Sequence, residues 1–166
     1  MANLSLTRVN QKLMQAKSLI QGVDEESLSP VHCNALLEGS AFHLMCAYQH
    51  YLREIAETYG LKNIITMRSE VDLISAFESA KKYPAEAQEL HALRKDRLSW
   101  LSQLQAYYDS LWRMPVLVDI QHTENLINLV NTDDLIIPGV NLSVIVGWHK
   151  DFTELVIRQR ETSAEF

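Results

Sequence analysis

Between Pro30 and Gly60 the only helix breaker is Gly39, so one helix of about 45 Å can occupy the whole stretch. Ser29 can cap its start, and Pro30 suits a first turn in which its missing N–H would have had no partner anyway. Leu44, Met45, Tyr48, Tyr51, Leu52, Ile55 and Tyr59 fall on one flank of that helix. Breakers are scarce throughout, with five Gly and four Pro in 166 residues, and 47% of the chain is hydrophobic. The chain therefore reads as one all-α domain over residues 1–166, long enough to bury a sizeable core.

The remaining elements follow from spacing and from start and stop signals. Leu6, Val9, Leu13, Ala16 and Ile20 form a stripe at helical period, and Gly22 suits a stop. Ser69 and Asp72 read as a capping box that opens a short helix with Leu73, Ile74, Phe77 and Ala80 facing inward, ending before Pro84. A second long helix is expected from about Pro84 to Trp112. Its seam is Leu90, Leu93, Arg97, Leu101, Leu104, Tyr108 and Leu111, spaced in alternating threes and fours. Arg97 is the odd member, either snorkelling to the rim or meeting an anion. Met114 to Asn141 holds apolar, β-branched runs split by polar pairs, and reads as extended chain with a short helix around Thr123–Asn131 and a turn at Pro138–Gly139. The last helix starts near Ser143, buries Ile145, Trp148, Phe152, Leu155 and Val156, and carries Lys150, Glu154 and Arg158 as an outer charge ladder. The expected architecture is an antiparallel bundle of four to five helices, two of them long, with an extended segment before the last.

Chemistry is harder to find. His43, Cys46, His50, Glu54 and Glu57 share one narrow row of the long helix, nearly opposite its apolar flank. Helix-bundle metal sites project ligands into the core from several helices, usually with Glu-x-x-His pairs; none occurs in this chain, and one row alone cannot surround an ion. The row reads as a solvated face, or as a second contact surface against a partner or the C-terminal arm, with a metal site as the remaining alternative. Gly-rich phosphate loops, G-x-S-x-G, C-x-x-C and H-E-x-x-H are all missing, so no catalytic residue, metal ligand or cofactor is assigned. The aromatic residues Tyr48, Tyr51, Tyr59, Trp100, Tyr107, Tyr108, Trp112 and Trp148 sit at helical spacing and read as core.

The net charge of −6 opposes general nucleic-acid affinity, which needs clustered cations. Arg94, Lys95 and Arg97 form one such cluster, diluted by Asp96. No run reaches membrane-spanning length and the N-terminus has no apolar signal core, which points to a cytoplasmic protein. Cys33 and Cys46, on one helix, stand about 20 Å apart and cannot bond to each other.

Four stretches together resemble a known family: the opening MAN with Thr7–Leu13, AFHLMCAYQHYLREIAETY, SWLSQLQAYYDSLW from Ser99 to Trp112, and the ending GWHKDFTELVIRQRETSAEF. The family is a group of small gammaproteobacterial helical proteins of the Pseudomonas type, a domain of unknown function. The similarity runs end to end through the helices and fades across residues 114–141. It implies a bacterial cytosolic protein and brings no activity, substrate or catalytic residue with it. The function expected is that of a non-enzymatic interaction or adaptor module, a homo-oligomer or a binder of another protein. The alternative is a small-molecule or metal-binding bundle using His43, His50 and Glu54; Cys46 and Arg97 complete the candidate binding residues.

Overall fold

The computed structural model describes residues 4–113 and 139–163, and every regular element among them is helical. In chain order these are α1 (Leu4–Gln21), α2 (Pro30–Thr58), a 3-10 turn (Ile64–Thr66), α3 (Glu70–Ser79), α4 (Ala85–Lys95), α5 (Trp100–Ser110) and α6 (Leu142–Ser163). The protein is an all-α bundle. The extended segment expected over 114–141 lies almost entirely outside the described residues.

The 29-residue α2 is the axis of the bundle. Ser29 Oγ accepts from the His32 N–H at 3.3 Å, and Pro30 occupies the first position. Gly60, at φ +69°, ends the helix in the left-handed conformation that costs glycine least. Leu44, Met45, Tyr48, Tyr51, Leu52 and Ile55 are buried as their spacing requires, each worth about 1.5–3 kcal/mol of apolar burial. The antiparallel α1 lies along another flank of α2, in the most extensive helix–helix contact of the fold. Gly39 permits that approach, because a Cβ there would meet the Leu19 side chain at 3.0 Å.

α3 opens on the expected capping box. Ser69 Oγ accepts from the Asp72 N–H at 3.2 Å, and the Asp72 carboxylate accepts from the Ser69 N–H at 3.0 Å. Leu73 and Phe77 point inward, whereas Ala80 is an exposed C-cap. α6 buries Ile145, Trp148, Phe152, Leu155 and Val156. The Phe152 ring stacks on Trp100 at 5.3 Å and meets Tyr51 edge-on at 6.1 Å. Of the expected ladder, Lys150 and Glu154 pair at 3.9 Å, but Arg158 leaves it for Glu89 on α4. Trp112, expected in the core, is exposed.

The second long helix is two helices, which raises the count among the described residues to six. Asp96 Oδ1 accepts from the Leu98 N–H at 2.9 Å, turning the chain, and Ser99 Oγ restarts it by accepting from the Ser102 N–H at 3.2 Å. The Ser99 and Ser102 hydroxyls donate back to Leu93 O, and Ser102 also reaches Arg94 O, satisfying carbonyls that the end of α4 leaves open. Arg97 thus sits exposed in a turn rather than in a seam. The Ser99→Ala variant should lose about 1–2 kcal/mol in urea unfolding, the range for a lost N-cap; an unchanged midpoint would mean the break is held by something other than this serine.

Candidate functional site

Covering α2 on more than one flank changes the environment of its polar row. Glu54 is not solvated but 4% exposed. Its carboxylate accepts two bonds from Arg160 of α6, Nε to Oε1 at 2.6 Å and NH2 to Oε2 at 2.8 Å, while Arg160 NH1 donates to Asn10 Oδ1 of α1 at 2.8 Å. Three helices are joined at one guanidinium. The expectation that this row faces away from the fold fails at Glu54 for that reason.

His43, Cys46 and His50 are half-buried along the α1 seam. Burial holds His43 below the ordinary histidine value, with Lys12 adding to it; His50 is lowered by burial and then by Arg53, Arg8 and Lys12. Burial pushes the Cys46 thiol up, only partly countered by Lys12, so it stays protonated and unreactive at neutral pH. Cys33 is buried and both thiols are free. Among the described residues no three His, Cys, Asp or Glu side chains come together as a ligand set. Arg97 does not join this row; it borders a separate shallow hollow with Arg94, Lys95 and Asp109.

Polar groups do converge at the end of the bundle where α2, α4 and α6 meet. A cleft of about 250 Å³ opens there, walled by Leu6, Ile55 and Thr58 and edged by Tyr51, Tyr59, Glu54, Glu86, Arg160 and Ser163. Glu86, 7% exposed, accepts from the Tyr59 hydroxyl at 3.0 and 3.1 Å and from the Ser163 hydroxyl. Beside the cleft, the Tyr51 hydroxyl donates to Gln159 Oε1 at 2.7 Å, and Gln159 Nε2 donates to Glu89 at 2.7 Å. Burial raises the Tyr51 and Tyr59 phenols, so both remain neutral donors. Of these residues the sequence reading singled out Glu54 as a binding residue and the two tyrosines as core. Gln159 carried a usable signal, since it continues the register of Phe152, Leu155 and Val156 with a polar side chain.

The helical patterns that suggested a family are matched along the whole chain, residues 1–166, by one family model. The chain belongs to the family of unknown function DUF6586. No curated protein and no solved structure matches it. Among the described residues no helix is long and apolar enough to cross a membrane.

Two outcomes test this description. Arg160→Leu strands a buried carboxylate and should cost about 3–5 kcal/mol in denaturant unfolding, most of it recovered when Glu54→Leu is added; a double variant no better than the single one would refute the pairing as the cause. Because the folded-state values of His43 and His50 are lowered, the unfolded chain binds more protons just below about pH 6.5, and stability drops as pH falls through that value. A His43→Gln, His50→Gln variant should lose less stability than the parent between about pH 7.5 and 5, with matched losses ruling the two imidazoles out.

Proposed function

We propose that this protein is a non-enzymatic interaction module of the bacterial cytosol that works by binding protein chains, a second copy of itself first. The observation that carries this reading is a groove of about 260 Å³ between α1 and α6. Leu13 and Val156 are on its floor side, buried in the core, while Met14 and Ile157 stand at its edges 65% and 51% exposed. Apolar side chains flanking a groove on a helical surface are the usual receptor for another helix.

Charge supports a second copy as occupant. Every charged residue of α1, Arg8, Lys12 and Lys17, is basic, although the chain as a whole carries −6. A basic helix on an acidic molecule can meet an acidic face elsewhere on a second copy, an arrangement of unlike faces that charge favours. The non-enzymatic part is supported by the protonated Cys46 and by the engagement of Glu54 with Arg160. That engagement also takes Glu54 away from the metal-binding alternative with His43 and His50.

Sedimentation of untagged protein over a range of concentrations should show a monomer–dimer equilibrium. Met14→Asp with Ile157→Asp should weaken it by about tenfold or more, and added salt should weaken it further. A protein that stays strictly monomeric at every concentration refutes self-association.

A further inference from the structure

We propose that the cleft at the α2–α4–α6 end binds a small organic ammonium ion, held by the Glu86 carboxylate and the face of Tyr59. The cleft shares only Arg160 with the α1–α6 groove, and the proposal does not depend on self-association.

The sign of the ligand follows from which charges in the cleft are already matched. Arg160 spends Nε and NH2 on Glu54 and NH1 on Asn10. Its charge is thus already matched by a buried carboxylate, and an anion competing for that charge would weaken its hold on Glu54. Glu86 is in the opposite situation. Its donors are two neutral hydroxyls, Tyr59 and Ser163. Among the described residues no Lys, Arg or His nitrogen lies within 4.0 Å of it. Two carboxylates and one guanidinium leave the cleft with a net negative charge.

The ligand's shape follows from the walls. A carboxylate has about four lone-pair positions, so Glu86 can accept from a charged N–H as well as from its two hydroxyls. Tyr59 lies against it, and an ammonium over a phenol ring gains further attraction. Leu6 and Ile55 supply an apolar surface for a short carbon chain. The volume, about 250 Å³, is below the range of about 300–1,000 Å³ common for drug-sized ligands. A free alkylamine of a few carbons fits this description; a peptide backbone does not.

Isothermal titration at neutral pH with n-butylammonium chloride should show saturable binding. Glu86→Gln keeps an acceptor for Tyr59 and Ser163 but removes the charge, and should weaken binding by about tenfold or more. Thr58→Trp places a large ring in the cleft from an exposed position and should abolish binding with thermal unfolding unchanged. Sodium butyrate and n-butanol should not bind. No saturable binding, equal binding of butyrate or butanol, or full binding retained in Thr58→Trp would each overturn the proposal. If Glu86→Gln fails to fold, Thr58→Trp decides alone.

Discussion

A helix in the middle of a bundle loses its solvent side, and α2 does so from His43 to Glu57, where no residue is fully exposed. Its apolar flank meets α5, α6 and the 3-10 turn while α1 covers another flank, so polar residues on α2 must find partners inside the fold. Four of them do so with what a neighbouring helix offers. Glu54 takes Arg160, Tyr51 takes Gln159, Tyr48 takes Glu70, and Tyr59 takes Glu86. The positions of α3, α4 and α6 around α2 are thereby fixed by hydrogen bonds as well as by packing.

These buried carboxylates do different physical work. Two oppositely charged groups removed from water recover little more than their desolvation cost, so the Glu54–Arg160 pair specifies register more than it adds stability. One turn of slippage of α6 would leave the buried Glu54 carboxylate without its cation. Glu70 accepts from Tyr48 at 3.0 Å and lies 3.5 Å from Arg94, tying the start of α3 to the end of α4. Glu89 is partly exposed and holds Arg158, a contact that salt screens. Glu86 differs from all three in having hydroxyl donors without a cation among the described residues.

The fold class was legible because periodicity and caps are local. Ser29–Pro30, Ser69–Asp72 and the Ile145–Val156 register each depend on neighbours a few residues away, and each formed as read. The break at Asp96–Ser99 was hidden by an apolar spacing that runs straight across it; the two cap-forming side chains, three residues apart, were the signal against a continuous helix. The site was less legible. Glu54 lies at the end of its polar row nearest the apolar flank, and its burial depends on Arg160, more than a hundred residues away. Histidines in the same row drew attention because their side chains are versatile, yet they face Lys12 and Arg8, which oppose both protonation and the approach of a cation.

Arg160 borders both the cleft and the α1–α6 groove. Its guanidinium is held by Glu54 on one side and Asn10 on the other, so it forms a wall shared by two surfaces of opposite character. A cation entering the cleft would approach Arg160 and be repelled by it, which confines the ammonium to the Glu86 side and away from Glu54. A partner helix in the groove would further shield the same guanidinium from water and strengthen its hold on Glu54. Occupation of the groove therefore stiffens one wall of the cleft without touching Glu86, and any energetic coupling between the two surfaces must run through this one side chain and the helix that carries it.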